Sequence, residues 1–264
     1  MPGDHRRGRG NPAQIARQSL ITAKVLEAGS LSIDVLIGEL GVSAMTVYRD
    51  LADLEGQGVL HRSRGTVTAA ATGLFEASAR FRMRHNVVEK EKLAAAASAL
   101  INPGQSVMLD DSSTCVWVAK ELNERAPLTI VTNSYSVLRE VQGNAGIRLF
   151  MAGGEYLAWA DACFGQTTVD LVSGIRADIA IMSASAVTDG ATFHPDESVV
   201  QLKRAMLASS AVRVLCIDHS KFGRRALHAV ASCADFDHVF VDAATPPEEL
   251  SRLADQGCTL HVVE

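Results

Sequence analysis

The sequence predicts an α/β protein of two domains, a winged helix-turn-helix over residues 12–68 and a mainly parallel α/β domain over 87–264. Between Ser32 and Leu60 the apolar spacing, caps and turn residues all describe one pair of short helices; from Ser106 short apolar strands alternate with helical stretches. Charge is divided in the same way. Residues 1–92 hold 13 Lys and Arg against 10 Asp and Glu, while 93–264 hold 12 against 20, so the overall −5 conceals a weakly positive head on an acidic body. That polarity suits a domain that touches phosphates joined to one that does not.

Residues 1–11 carry Arg6, Arg7 and Arg9 among Gly and Pro without periodicity and are expected to form a disordered tail. Asn11-Pro12 reads as a cap followed by proline in the first turn, opening a helix to about Glu27 with Ile21 and Val25 one turn apart. Ile33, Leu36, Ile37 and Leu40 then recur at helical spacing behind the cap Ser32, and Gly41 closes that helix with a left-handed residue. Ser43 caps the next. Its inward face is Val47, Leu51 and Leu54, so Ser43, Ala44, Met45, Thr46, Tyr48 and Arg49 stand at or outside its amino end. In a helix-turn-helix that end meets base edges in the major groove, which makes these residues the candidate DNA contacts. Two core helices joined by a tight turn would give the same pattern without nucleic acid. The next dozen residues weigh against that reading: Glu55-Gly56-Gln57-Gly58 breaks the helix, and Val59 to Val67 reads as two short strands around a glycine. This wing carries Arg62 and Arg64, whose planar forks suit phosphate oxygens.

The run V-S-x-x-T-V-Y-R-D-L-x-x-L-E-x-x-G-x-L-x-R, Val42 to Arg62, resembles the signature of the DeoR-type bacterial transcription regulators. Two departures are visible. Tyr48-Arg49 stands where the family usually has adjacent arginines, and Arg64-Gly65-Thr66 where it has His-Gly-Gly, so the operator sequence is expected to differ while the fold is kept.

Thr68 to Asn86 is alanine-rich with Phe75 and Phe81 as its large anchors, and residues 69–86 are read as a linker. Val87 to Ile101 is strongly helical, with Glu89-Lys90-Glu91-Lys92 expected outside and Leu93, Ala96, Ala97 and Leu100 inside, until Asn102-Pro103-Gly104 stops it. Strands are expected at Val107–Leu109, Leu128–Val131, Ile147–Met151, Ile179–Met182, Val212–Ile217, Val239–Val241 and Leu260–Val263. Helices are expected at Thr114–Arg125, Tyr135–Val141, Asp196–Ala208 and Pro246–Gln256.

In an open parallel sheet small molecules bind at the carboxyl ends of the strands. The loops there are chemically alike: Asp110-Asp111-Ser112-Ser113-Thr114, Thr132-Asn133-Ser134, Ser183-Ala184-Ser185 and Asp218-His219-Ser220-Lys221. Hydroxyls and helix-start N–H groups bind phosphate, lysine neutralises it, and carboxylates or Asn accept sugar hydroxyls. Each loop alone is ordinary cap and turn chemistry, but four at equivalent ends of one sheet describe a phosphorylated-polyol site, which Lys203 could also reach. LDDSST, TNS and DHSKFG stand in the order of the DeoR-type effector domain. That domain is similar to ribose-5-phosphate isomerase and glucosamine-6-phosphate deaminase, and the resemblance implies a phosphorylated-sugar effector. Ser112 stands where the family has glycine, and Ser183-Ala184-Ser185 replaces a more glycine-rich loop, which leaves the effector's identity and phosphorylation open. Trp117, Trp159, Phe193 and His194 read as packing or interface groups, and Gly153-Gly154 as a place where a ligand or the next strand approaches closely.

No apolar run approaches the ~18 residues of a membrane span and the amino terminus lacks an export h-region, so a cytoplasmic protein is expected. Five scattered cysteines, Cys115, Cys163, Cys216, Cys233 and Cys258, read as reduced thiols, and the histidines show no metal-ligand spacing. Neither cofactor, metal nor catalytic residue is expected. The leading reading is a homodimeric or homotetrameric repressor of a carbohydrate operon, with operator DNA and a sugar-phosphate-like effector as partners. An isomerase or deaminase with an accessory DNA-binding head, using Asp110, Asp111 or His219 as base, is the enzyme alternative; a DNA-binding scaffold with a vestigial pocket is the third.

Overall fold

The structure is a computed structural model that describes residues 12–28, 30–69 and 76–264. The expectations for the tail 1–11, for Asn11 and for Phe75 fall outside them. The chain forms two compact units, Met1–Ala71 and Thr72–Glu264.

The smaller unit runs α1 (Pro12–Ala28), β1 (Ser30–Ser32), α2 (Ile33–Leu40), α3 (Ala44–Gly56), β2 (Leu60–Ser63) and β3 (Thr66–Ala69). Its antiparallel sheet has the order β1-β3-β2. The side-chain oxygens of Ser32 and Ser43 accept the amides of Asp34 and Thr46, and Gly41 takes the left-handed backbone, φ 63°, that ends α2. Ile21, Val25, Ile33, Leu36, Val47, Leu51, Leu54, Val59, Leu60 and Val67 are buried as one core. Full burial of each such aliphatic side chain contributes about 1.5–3 kcal/mol. Periodicity does not show the ion pair inside this unit. Asp50, buried on α3, accepts from Arg17 Nε of α1 at 2.5 Å, and Gln14 of α1 donates to Asp53 at 2.9 Å. Arg64 and Gly65 link β2 to β3 with φ of 46° and 78°, the two-residue turn whose twist matches a hairpin.

The larger unit begins with α4 (Ala79–Arg82) and α5 (Val87–Ser98) and then alternates: β4 (Ser106–Leu109), α6 (Ser113–Leu122), β5 (Leu128–Thr132), α7 (Tyr135–Val141), β6 (Ile147–Met151). After a hairpin of β7 (Glu155–Leu157) and β8 (Ala162–Phe164) come α8 (Gln166–Ser173), β9 (Ala177–Met182), β10 (Ala186–Thr188), β11 (Ala191–His194) and α9 (Glu197–Ala208). β12 (Ser210–Ile217), β13 (His228–Ser232), β14 (His238–Asp242), α10 (Pro247–Asp255) and β15 (Leu260–Val263) complete it. The seven-stranded sheet has the order β15-β14-β12-β9-β4-β5-β6, every neighbouring pair parallel. Its side chains alternate between two cores. Val107, Leu109, Ile130 and Ile181 pack with α5, α6 and α7, while Met108, Val131, Met182 and Leu215 pack with α8 and α9. Between β4 and β9 the order reverses direction, and the crevice at such a switch point is where open α/β sheets bind ligands.

Two expectations are corrected. Residues 76–86 are not a linker: Ser78 caps α4, and Ala77, Ala79, Phe81 and Arg82 are buried within the larger unit. Lys90 is not on the outer face of α5. It is 2% exposed and donates to the carbonyls of Arg82 and His85, both at 2.6 Å, tying α4 down. The hairpin β7-β8, the helix α8 and the small antiparallel sheet β10-β11-β13 were not anticipated, because strands of three or four residues are too short to display alternation. Gly154 makes its close approach to the chain itself: a Cβ there would lie 2.2 Å from Thr168 Oγ1 and 2.5 Å from the Phe164 carbonyl.

Candidate functional site

In the smaller unit the amino end of α3 is the exposed polar and aromatic surface that the spacing implied. Val47, Leu51 and Leu54 are sealed inward, while Met45 is 70% and Tyr48 44% exposed, beside exposed Ser43, Ala44 and Arg49. Thr46 is half-buried and shares its hydroxyl with Ser43 at 2.8 Å, so it serves the cap first. Arg64 sits exposed at the wing's turn. Arg62 is already engaged within the unit: its Nε and Nη2 donate to Glu55 Oε2 at 2.7 and 2.6 Å and its amide to Oε1 at 3.0 Å. These bonds hold the Glu55 carboxyl below its usual range. Phosphate must therefore compete with Glu55 for Arg62.

In the larger unit a cleft enclosing about 320 Å³, its open mouth included, lies at the carboxyl ends of β4 and β9. Its wall includes Asp111, Ser112, Ser113 and Thr114 at the start of α6, Ser183 to Ser185 after β9, and Lys203 of α9. His194, Lys221, Glu76 just before α4 and Arg82 at its end complete it. Ser112 caps α6 by accepting the Cys115 amide at 3.1 Å, so the positive end of that helix opens on the cleft.

The other expected residues lie behind this wall. Asp110 is a buried hub: Oδ1 accepts the Ser112 amide at 2.9 Å, and Oδ2 accepts the Ser183 amide at 3.1 Å and the Lys203 ammonium. Lys203 also donates to the Ser183 carbonyl at 3.0 Å. Burial opposes both charges, yet each partner outweighs it, holding the Asp110 carboxyl below and the Lys203 ammonium above its ordinary value. Thr132 and Ser134 are used locally, Thr132 Oγ1 accepting the Ser134 amide and Ser134 Oγ capping α7, while Asn133 donates to the Cys163 carbonyl at 3.0 Å. Asp218 accepts from Asn86 at 2.7 Å and from the Ser220 amide at 3.1 Å. Asp110, Thr132, Asn133, Ser134 and Asp218 thus shape the loops behind the cleft wall.

Charges on the wall differ in how far they are spent. Arg82 faces Asp111 at 3.4 Å, and Lys203 is taken by Asp110. Lys221, 8% exposed, makes no ion pair or hydrogen bond from its ammonium among the described residues. Burial pushes that ammonium below its ordinary value, while Asp218 and Glu76 pull the other way. Glu76, Arg82 and His194 were missing from the expected set. Ser78 ahead of Ala-Arg-Phe-Arg was the signal for α4 that could have brought Arg82 in. His194 packs on Trp159, ring centroids 6.3 Å apart, so its packing role and its place on the wall coexist.

Residues 17–72 match the family described as the DeoR-like helix-turn-helix domain, and residues 85–243 that of the DeoR C terminal sensor domain. The chain is 30% identical to the glycerol-3-phosphate regulon repressor of Escherichia coli (strain K12) over 250 residues, 94% of this chain and 99% of that one. This chain belongs to the DeoR family. Further DeoR-family relatives are a putative aga operon transcriptional repressor of Escherichia coli O157:H7, 27% identical with 94% and 93% covered. Another is the L-fucose operon activator of Haemophilus influenzae (strain ATCC 51907 / DSM 11121 / KW20 / Rd), 28% identical with 91% and 96% covered. Among solved structures, ribose 5-phosphate isomerase A from Methanocaldococcus jannaschii is 19% identical with a TM-score of 0.39, over 52% of this chain and 55% of that one. At that score the likeness carries no argument. As a DeoR-family protein the chain is a DNA-binding transcription regulator with a sensor domain; the exposed end of α3 falls in the first matched region, and the cleft wall, apart from Glu76 and Arg82, in the second.

Proposed function

We propose that the chain is a cytoplasmic repressor of a carbohydrate-metabolism operon, released from its operator by a sugar-phosphate-like effector bound in the cleft. The observation that carries this reading is the wall itself. A buried Lys221 with no ion-pair partner among the described residues, the amino end of α6 and the hydroxyls of Ser113 and Thr114 are what a phosphate monoester asks of a site. Relatives named for a glycerol-3-phosphate regulon, an aga operon and a fucose operon support the chemical class, and one of them is an activator, so the sign is tested along with the ligand.

On the DNA side Ala44, Met45, Tyr48 and Arg49 are assigned to base edges and Ser43, Thr46, Arg62 and Arg64 to the backbone. One such module offers little surface. A homodimer or homotetramer reading half-sites about 34 Å apart, or multiples of that, is proposed accordingly. Effector control then requires different affinities for the DNA-competent and DNA-incompetent arrangements.

The test is a thermal-shift screen of sugar phosphates against the matching free sugars, with hits carried into release of operator DNA. Lys221→Met is expected to abolish both the shift and the release while sparing DNA binding. Normal induction of that variant would remove Lys221 from the effector site. The isomerase or deaminase reading fares worse on chemistry: Asp110 and Asp111 each face a cation, and His219 Nδ1 is 3.0 Å from Asp242, away from the wall. Turnover of any sugar phosphate by the pure protein would revive it.

A further inference from the structure

We infer that Glu76 is a built-in competitor for the cleft: its carboxylate occupies the anion position among Arg82, Lys221, His194 and Ser185, and an incoming phosphate must displace it. The inference rests on the anion-sensing reading given above and adds how that site is regulated.

The charge pattern of the wall leads to Glu76. Arg82 has Asp111, and Lys203 has Asp110. Lys221 has no direct partner among the described residues, and of the two carboxylates that share the cleft with it, Asp111 already faces Arg82, which leaves Glu76. Glu76 Oε1 accepts the amide of Ala77 at 2.9 Å, and Ser185 lines the same cleft. Arg82, Lys221 and Ser185 on the same wall are donors that a phosphate would use: a cation, a guanidinium, a hydroxyl and backbone N–H groups serve any oxyanion. The electrostatics agree. Burial alone would raise the Glu76 carboxyl, but Arg82, Lys221 and His194 together bring it down to about 2, so it is ionised throughout the physiological range.

The place of Glu76 in the chain has two consequences. It stands seven residues after Ala69, the end of wing strand β3, and three before α4, which supplies Arg82. Displacing it therefore alters the chain just where it leaves the DNA-binding unit in sequence. A neutral sugar cannot replace its charge, so the tether selects for anionic ligands over their unphosphorylated counterparts. If the arrangement with Glu76 out of the site is populated to about a tenth, removing the carboxylate tightens apparent affinity about tenfold.

The experiment is calorimetric titration of the full chain with inorganic phosphate at neutral pH, comparing wild type, Glu76→Gln and Glu76→Gln/Lys221→Met. Tightening of about tenfold or more in Glu76→Gln, lost in the double variant, is the expected result. Equal or weaker binding by a Glu76→Gln chain with wild-type circular dichroism overturns the competitor role, while Lys221-dependent binding by the wild type leaves the sensor reading standing. Absence of binding by both wild type and Glu76→Gln overturns both readings. Amide hydrogen exchange on the wild type supplies a check that needs no variant. Saturating phosphate should speed exchange of Ala77, whose amide loses its acceptor, and unchanged or slower exchange there counts against displacement.

Discussion

Replacing Lys203 with Met is expected to cost the larger unit about 3–4 kcal/mol, because it strands a carboxylate inside the protein. Asp110 is 1% exposed and Lys203 4%, so water can solvate neither charge once its partner is gone. The cost falls toward the low end since the Ser112 and Ser183 amides, at 2.9 and 3.1 Å, still donate to Asp110. Asp110→Asn leaves the Lys203 ammonium only neutral acceptors, the Ser183 carbonyl at 3.0 Å and the amide oxygen of the new side chain, and is expected to cost about 3–5 kcal/mol. With both charges removed, each polar remnant is neutral, and the double variant should lose about 2–3 kcal/mol less than the two single losses combined. Urea unfolding followed by tryptophan fluorescence measures this in the right place, since Trp117 and Trp159, the chain's 2 tryptophans, both lie in the larger unit. Folded-state values below the ordinary 3.8 for Asp110 and above 10.5 for Lys203 fix the pH window. The pair's contribution is complete between those ordinary values, is lost on acidification as Asp110 takes up its proton, and is lost above them as Lys203 gives its proton up. Additivity of the two single variants to within about 0.5 kcal/mol would refute the coupling.

Arg49→Ala should weaken operator binding by about 1–3 kcal/mol if it reads a base edge bidentately, and an unchanged gel-shift titration would take it out of the interface. Arg64→Ala should lower the salt slope of DNA binding by roughly one unit, and Arg62→Ala by less, because Arg62 must first leave Glu55; equal slopes for the two variants would show that the Glu55 pair is broken freely. Burial holds Lys90 down to about 7 and His85 to about 4. For both, the charged form is the one the fold rejects, so stability of the larger unit should rise with pH from about 4 to 6.5 and again from about 7 to 10.5. Lys90→Met should flatten the upper rise whatever its absolute stability, and a melting series in which the rise survives would assign it elsewhere.

The parts of the fold that were legible in the sequence are those governed by apolar spacing and caps. Val47, Leu51 and Leu54, the caps Ser32 and Ser43 and the left-handed Gly41 were readable because each is a local rule with one solution. The helix Tyr135–Val141 and the strand Ile147–Met151 were readable for the same reason. What stayed hidden was pairing of charge. Lys90 looks like one member of a solvated Glu-Lys run, and only tertiary structure shows its ammonium serving the carbonyls of Arg82 and His85. Arg62 looks like a free wing arginine until Glu55, seven residues earlier, is found against it.

The same limit explains why the cleft was half read. Loops rich in Ser, Thr, Asn and Asp mark the carboxyl ends of the strands, but composition cannot tell a residue that faces the cleft from one that caps a helix behind it. Ser113, Thr114, Ser183 and Lys221 are of the first kind, Thr132 and Ser134 of the second. Their difference is set by topology. The order reverses between β4 and β9, so the loops after those two strands open on the crevice, whereas the loop after β5 sits beyond β4 and is drawn into capping α7 and bonding the Cys163 carbonyl. Glu76 and Arg82 escaped for the complementary reason. They come from a stretch whose alanine content resembles a tether, and it is ordered by burying Phe81 and by the Lys90 bonds, interactions that no window of neighbouring residues contains.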